Sequence, residues 1–191
     1  KFKSLYEQNG FVVLKGIIDK KTIEDLLKEV EKVLVDPTLN KKRDLHYITK
    51  GEISSMHNIA DYSKYYKNYI RNSKVTDFFR EIYGEPKEII FNSSYFAKPR
   101  RIGISTKPHQ DNAFFCMSPP EVMTCWFPVN FADSRNGAMF YYRGSQKEGN
   151  IAHEPNGNLG ASMCISTETE NVLCSKYDKV EIELGSTDCV L

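Results

Sequence analysis

His109 and Asp111 stand two residues apart, inside the polar run 107–112 (KPHQDN). On an extended backbone successive side chains alternate between faces, so the imidazole and the carboxylate point the same way and Gln110 points away. One nitrogen ligand and one anionic oxygen ligand are two of the three ligands of a 2-His-1-carboxylate Fe(II) site, which leaves positions open for a chelating cosubstrate and O2. The alternative is a solvated strand end, because an H-x-D tripeptide is a weak signal by itself.

The segments around this pair carry further motifs in a recognisable order. Lys98-Pro99 and a glycine-containing loop precede the pair, and an apolar segment with the single tryptophan (124–129, TCWFPV) follows it. Asn136-Gly137 and the run 143–147 (RGSQK) come next. In this order the motifs resemble the phytanoyl-CoA dioxygenase family of Fe(II)/2-oxoglutarate oxygenases, which reads K-P, H-Q-D, a Trp strand, N-G and P-G-S-H-K. The resemblance extends from Gly10 to the last residue.

This resemblance implies a reaction and its cofactors. The metal would be Fe(II), and 2-oxoglutarate would be the cosubstrate, converted to succinate and CO2 while O2 hydroxylates a small, polar metabolite. His109 and Asp111 would be the iron ligands and the catalytic residues. The presence of Asp111 favours hydroxylation, or an oxidation derived from it, because the related halogenases have a small residue in place of this carboxylate.

Seven further positions are expected to line the site. By the resemblance, Trp126, Ser94 and Thr106 match places that face 2-oxoglutarate in relatives. The substrate site is expected to include Asn92, Lys98, Phe115 and His153. Structural interpretations remain open beside these: Trp126 and Phe115 as core residues, Lys98 as a loop anchor. His57 is predicted to be a hydrogen-bonded structural histidine.

The third iron ligand is expected to be a histidine beyond Leu191. In the family the distal histidine follows a Pro-Gly-Asp strand, and residues 183–191 (ELGSTDCVL) resemble that strand. The resemblance therefore predicts one oxygenase domain over residues 1–191 that lacks its C-terminal core strands. His153 is the alternative third ligand.

The elements that must position these residues change in character along the chain. Beyond a strand at 11–18, helices come first, over 2–8, 19–35, 61–71 and 74–83, and strands dominate from residue 89 onward. This order predicts an α+β, mainly β domain whose core is a double-stranded β-helix (jelly-roll or cupin-like) backed by N-terminal helices. The polar segment 38–52 is either a solvated loop or a lid over the substrate.

Composition narrows the classes of protein. A chain of 191 residues fits one domain, and 26 basic against 25 acidic residues give no basic stripe for nucleic acid. No apolar run is long enough to predict a membrane span. The five cysteines are odd in number and form no C-x-x-C motif, which favours a reducing cytoplasm over a disulfide framework. The oligomeric state is not predicted.

Two other functions remain open from the sequence. One is a non-catalytic relative that binds 2-oxoglutarate or another acid. The other is a cupin-like metalloenzyme that uses His109, Asp111 and His153 as ligands. The identity of the metal and the turnover of 2-oxoglutarate distinguish these functions from an oxygenase.

Overall fold

Helices dominate the N-terminal half of the chain, and short strands with one further long helix follow. The computed structural model describes residues 2–36, 38, 44–47, 52–85, 92–101, 103, 105–157 and 162–191. The helices in these ranges are α1 (Phe2–Asn9), α2 (Lys20–Val35), α3 (Ile59–Tyr62), α4 (Lys64–Asn72), α5 (Lys74–Tyr83), α6 (Asn112–Phe115) and α7 (Thr167–Lys176). The strands are β1 (Val13–Leu14), β2 (Leu45–Tyr47), β3 (Ile53–His57), β4 (Ser94–Phe96), β5 (Met139–Tyr142), β6 (Glu154–Pro155), β7 (Met163–Cys164), β8 (Lys179–Ile182) and β9 (Cys189–Val190).

Helix α2 shows how local sequence sets an element. The Asp19 carboxylate accepts a hydrogen bond of 2.9 Å from the backbone N–H of Thr22, which caps the first turn. Apolar residues at three- and four-residue spacing form one face of the helix. The helix ends before Asp36, so its bounds agree with the prediction. Its buried residues are Ile23, Leu26, Val30 and Val33.

The strands pair in four small antiparallel sheets, in the orders β1-β9, β2-β3-β4, β5-β8 and β6-β7. Two isolated bridges, Trp126–Val190 and Ala132–Leu184, link the segment after α6 to the C-terminal segment. The first and last described strands are therefore neighbours. This pairing closes the structure around a core cluster that contains Phe11, Leu184 and Val190.

The side chains of the segment 123–129 face two different sides, and both sides contact the core. Met123, Cys125, Phe127 and Val129 pack against the cluster that includes Val12 and Ile18 on the helical side. Residues between them, including Trp126, face the other way, because side chains alternate along an extended chain. The tryptophan packs beside Phe11 and Val190. This alternation places Thr124, which contacts Asp111, on the same face as Trp126.

The prediction of a mainly β domain is not confirmed, because helices hold more of the described residues than strands do. Of the strands expected from residue 89 onward, the segment around the tryptophan forms only the bridge at Trp126, and the segment before Lys98 is described only as β4. Within the predicted loop 38–52, β2 pairs with β3; residues 37, 39–43 and 48–51 lie outside the described residues. None of the described helices is both long and apolar enough to cross a membrane.

Helix α7 was not predicted, although its sequence carries end signals. Ser166 Oγ accepts a hydrogen bond from the backbone N–H of Thr169 and caps the first turn. Glu168 and Glu170 lie in that turn, and Lys176 lies in the last one. Acidic residues at the start and a basic residue at the end suit the helix dipole. These end signals could have indicated the helix, which was missed because its apolar periodicity is weak.

Asp188, near the C-terminal end of the described chain, forms hydrogen bonds with residues near its N-terminal end. Its carboxylate accepts hydrogen bonds of 2.9 Å from Lys15 Nζ and from the backbone N–H groups of Gly16 and Gly185. Burial opposes ionisation of this carboxyl, but the hydrogen bonds outweigh burial and lower the pKa of Asp188. A pKa lowered by folding means that the carboxylate stabilises the fold above its unfolded pKa of about 3.9 and that this contribution is lost as pH falls through the folded pKa.

We therefore expect Asp188→Asn to lower the free energy of unfolding by about 2 kcal/mol at neutral pH. The difference from the wild type should shrink as the pH falls below about 4. Urea unfolding of the variant and the wild type, at neutral pH and below about pH 4, measures this difference in the free energy of unfolding. A loss of stability that is equal at the two pH values would contradict a contribution from the ionised carboxylate.

Candidate metal centre

His109 and Asp111 converge, as predicted. His109 Nε2 lies 3.3 Å from Asp111 Oδ1. The local backbone differs from the fully extended one that the prediction assumed, because Asp111 is helical (φ −60°, ψ −31°) and precedes α6. The two side chains are partly exposed, with relative side-chain accessibilities of 24% and 34%. A ligand can therefore reach both of them from solvent.

Hydrogen bonds orient the two candidate ligands. His109 Nδ1 lies 2.8 Å from the Lys107 carbonyl oxygen; since a carbonyl only accepts, Nδ1 carries a proton, and Nε2 donates to Asp111 when the ring is protonated and presents its lone pair when the ring is neutral. Thr124 Oγ1 donates a hydrogen bond to Asp111 Oδ2 and leaves Oδ1 directed towards His109. Metal-binding histidines usually donate their second N–H to such a carbonyl, and ligating carboxylates are themselves hydrogen-bonded.

The electrostatics of the pair also suit a cation. The hydrogen bond with Asp111 raises the pKa of His109, and burial opposes this effect. Burial raises the pKa of Asp111, but the hydrogen bonds from His109 and Thr124 outweigh it, so the pKa of the carboxyl is lowered. The pair therefore favours positive charge between Nε2 and Oδ1. An imidazole nitrogen and a carboxylate oxygen are ligands that Fe(II) accepts.

The described residues supply two ligands and do not supply a third. Among them, no group of three or more His, Cys, Asp or Glu side chains could hold a metal ion. The donor set therefore fits two of the three positions of a facial triad.

His153 does not have the geometry of the alternative third ligand. Its Nε2 accepts a hydrogen bond of 2.8 Å from the backbone N–H of Gln110, and its Nδ1 donates to the Ile151 carbonyl oxygen, also at 2.8 Å. Both ring nitrogens are engaged with the main chain. In this conformation no lone pair remains for iron, which speaks against the cupin-like interpretation. The His153 ring instead contacts the backbone between His109 and Asp111.

Residues predicted to face 2-oxoglutarate lie in different surroundings. Ser94 Oγ is 2.8 Å from His57 Nδ1, and His57 Nε2 is 3.1 Å from Ser55 Oγ. His57 is thus the hydrogen-bonded structural histidine that was predicted. Thr106 and Asn92 are exposed, and no described contact joins them to His109 or Asp111.

Two aromatic residues flank the pair. The edge of Phe114 meets the His109 ring, with centroids 5.6 Å apart and an interplanar angle of 86°. Phe115, the residue predicted to contact substrate, is 42% exposed on α6. Trp126 lies on the same face of its segment as Thr124 and packs against the core cluster. Its structural role is therefore shown, and contact with cosubstrate stays a prediction.

Lys98 lies against a turn and not beside the metal pair. Its Nζ donates to the Gly137 carbonyl oxygen at 3.3 Å, and desolvation lowers the pKa of its ammonium. Gly137 has φ +99°, and a Cβ there would lie 2.6 Å from Lys98 Cδ. The Asn-Gly motif thus accommodates both the turn and the lysine. No described contact joins Lys98 to Asp111, so the structure supports the loop-anchor interpretation.

Sequence reasoning missed three residues that adjoin the pair. Thr124 contacts Asp111 from 13 residues away, and no local pattern indicates such a contact. Tyr141 stacks on Phe11 with ring centroids 4.8 Å apart; burial, and then the negative charge of Asp111, raises its pKa. Gln110 was predicted only to point away from the metal pair. Its side-chain amide contacts the main chain of Gly149 and Ile151.

Comparison with known proteins agrees with these observations. The phytanoyl-CoA dioxygenase (PhyH) family model matches residues 6–182. A phytanoyl-CoA dioxygenase domain-containing protein 1 homolog from Caenorhabditis elegans is 22% identical, over 95% of this chain and 78% of its own length. A 2-aminoethylphosphonate dioxygenase from the uncultured bacterium HF130_AEPn_1 is 23% identical, over 99% of this chain and 70% of its own length.

Solved structures share the fold. EctD from S. alaskensis, solved with 2-oxoglutarate and 5-hydroxyectoine, superposes with a TM-score of 0.76 at 16% identity over 99% of this chain. EvdO2 from Micromonospora carbonacea var. aurantiaca, solved with 2-oxoglutarate, gives a TM-score of 0.67 at 14% identity over 98% of this chain. The chain spans 65% of the EctD chain and 78% of the EvdO2 chain.

The matched family model describes a family of dioxygenases, and the solved structures share the fold of this chain. The chain belongs to the phytanoyl-CoA dioxygenase family. The family predicted from the order of the motifs is therefore confirmed. The assignments of individual site residues stay predictions.

Proposed function

We propose that the protein uses Fe(II), 2-oxoglutarate and O2 to hydroxylate a small, polar metabolite, with release of succinate and CO2. The observation that carries this proposal is the approach of His109 Nε2 to Asp111 Oδ1 at 3.3 Å, in a chain of this family. The third ligand is proposed to be a histidine outside the described residues. The proposed core is a double-stranded β-helix to which the four small sheets contribute.

The residues of this chain have defined tasks in the reaction. Fe(II), when bound, supplies activation of O2 coupled to oxidative decarboxylation of 2-oxoglutarate. The Lys107 carbonyl holds the His109 tautomer, and Thr124 holds the Asp111 carboxylate. Phe114 packs against the imidazole in an edge-to-face contact and limits the orientations open to the ring. Trp126, Ser94 and Thr106 remain the proposed contacts of 2-oxoglutarate.

A cavity lies beside the loop that carries His109 and Asp111, on the side of Gln110. Its volume is about 320 Å³, at the small end of small-molecule sites. Gln110, Asn112 and Asn150 line it together with Met117 and Ile151. Because neither His109 nor Asp111 lines this cavity, the proposed class of substrate rests on the family and not on the cavity. The five free thiols support a reducing compartment, for which we propose the cytoplasm.

The test uses the whole protein with Fe(II) and 2-oxoglutarate under anaerobic conditions. We expect a weak visible metal-to-ligand charge-transfer band, followed on addition of O2 by substrate-dependent succinate formation. The panel of candidate substrates should contain small polar metabolites, 2-aminoethylphosphonate and an acyl-CoA. The last two are included because relatives are named as a 2-aminoethylphosphonate dioxygenase and a phytanoyl-CoA dioxygenase. A folded protein that binds 2-oxoglutarate without the band and without succinate would instead be a non-catalytic relative.

Thr124 offers a sharper test of the geometry. Thr124→Val keeps the shape of the side chain and removes the hydroxyl that donates to Asp111 Oδ2. We expect Fe(II) affinity to fall about 10-fold, because partners of metal ligands typically contribute 10- to 100-fold. Thr124→Ser keeps the hydroxyl and should bind Fe(II) nearly as tightly as the wild type. Equal affinity of the valine variant and the wild type would contradict an orienting role.

A further inference from the structure

Gln110, the residue between the two candidate ligands, is half-buried and is held by several hydrogen bonds. The Gln110 side chain uses both ends of its amide. Nε2 donates to the Gly149 carbonyl oxygen at 2.7 Å, and Oε1 accepts from the backbone N–H of Ile151 at 2.8 Å. Because one partner only accepts and the other only donates, this arrangement also fixes the orientation of the amide. Gln110 thereby joins the ligand loop to the segment 149–151.

His153 holds the main chain at the same residue. Its Nε2 accepts from the Gln110 backbone N–H at 2.8 Å. Its Nδ1 donates to the Ile151 carbonyl oxygen at 2.8 Å, which fixes the tautomer with a lone pair on Nε2. The imidazole thus stands between the ligand loop and the segment that Gln110 also contacts. Three hydrogen bonds converge on Gln110 from residues 149–153.

A further contact holds the other end of the ligand loop. The Pro108 carbonyl oxygen accepts a hydrogen bond of 3.0 Å from the backbone N–H of Ile165, just after β7. The residue before His109 and the residue after it are therefore both attached to the C-terminal part of the domain. The two ligand side chains project from a short backbone that is held on both sides.

From these contacts we infer that Gln110 and His153 are positioning residues for iron, and we call the pair the Gln110–His153 clamp. Neither side chain has a lone pair or an oxygen directed at the metal pair, so the clamp acts through the backbone between His109 and Asp111. A cation bound by both ligands needs Nε2 and Oδ1 within coordination distance of one point, and small displacements of such a pair weaken binding strongly. This inference rests on the proposed Fe(II) site.

The test compares Gln110→Met and His153→Phe with the wild type in the whole protein. Methionine keeps the length of the side chain without its amide, and phenylalanine keeps the ring without its nitrogens. We expect each variant to bind Fe(II) about 10- to 100-fold more weakly in the anaerobic titration. We expect the double variant to lose less than the product of the single losses, because both residues hold one piece of backbone.

Gln146→Met is the matched control. Gln146 Nε2 donates to the Glu7 carbonyl oxygen at 2.7 Å, so it also joins two segments through a side-chain amide, away from the ligand loop. Its replacement should leave Fe(II) affinity unchanged. His153→Gln keeps an acceptor for the Gln110 N–H and should recover part of the affinity lost in His153→Phe. Thermal unfolding without metal shows whether each variant is folded at the titration temperature.

The outcomes separate the clamp from the proposed function. Wild-type affinity in both Gln110→Met and His153→Phe would overturn the clamp and leave the iron site intact. Equal weakening by Gln146→Met would also overturn it, because the effect would then be one of general stability. Absence of Fe(II) binding by the folded wild type would refute the proposed function and the clamp together.

Discussion

Asp111→Ala is expected to abolish the visible charge-transfer band that Fe(II) and 2-oxoglutarate form with the wild type. The substitution removes Oδ1, which lies 3.3 Å from His109 Nε2, and leaves a single ligand in the described site. Removal of an outer hydrogen-bonding partner typically costs 10- to 100-fold in metal affinity, so loss of the ligand itself should cost more than about 100-fold. Anaerobic Fe(II) titration measures the affinity directly. His109→Ala should give the same result.

Asp111→Glu distinguishes ligation from charge. The longer side chain keeps the negative charge but moves the carboxylate away from His109 and from the Thr124 hydroxyl. We expect it to bind Fe(II) more tightly than Asp111→Ala and more weakly than the wild type. If Asp111→Ala retained the band, Asp111 would not be a ligand, and the assignment of the metal pair would be wrong. Circular dichroism confirms that the variants are folded.

Local signals were sufficient for the parts of the fold that depend on neighbouring residues. The cap at Asp19 and the apolar spacing of the following turns set both ends of α2 without reference to the rest of the chain. The tripeptide around Gln110 predicted for a similar reason that the His109 and Asp111 side chains lie close together, whereas their role as ligands stays a prediction. Its prediction survived an error about the backbone of Asp111, because both an extended and a helical residue at this position bring the carboxylate close to His109.

Contacts between distant segments were beyond sequence reasoning. The pairing of Trp126 with Val190 depends on a neighbour that is far along the chain, so the length of the strand around Trp126 was overestimated. Lys98 was assigned to the substrate site from its motif, whereas the structure places it over Gly137. For His153, the decisive partners are main-chain groups, which have no sequence signature. In a site of this kind, sequence patterns can therefore indicate the candidate ligands, whereas the residues that position them are identified only from the structure.

Leu184→Ala is expected to give the largest loss of stability among single truncations in the core near the site. Leu184 has 0% exposure and exchanges two backbone hydrogen bonds with Ala132, at 2.9 and 3.1 Å. Its side chain packs in the cluster that contains Phe11 and Val190, against which the partly buried Trp126 also packs. Removing a buried leucine costs the transfer free energy of the lost atoms and that of the cavity, together about 3 to 5 kcal/mol.

Urea unfolding of Leu184→Ala and of Val35→Ala tests this expectation. Val35 is 79% exposed at the end of α2, and its truncation should change the free energy of unfolding by less than about 0.5 kcal/mol. A similarly small change for Leu184→Ala would contradict a large contribution of this side chain to the core. A large change would show that the cluster against which Trp126 packs contributes strongly to the stability of the domain. The ligand loop and the segment that carries Thr124 would then be positioned by the same core that determines the stability of the domain.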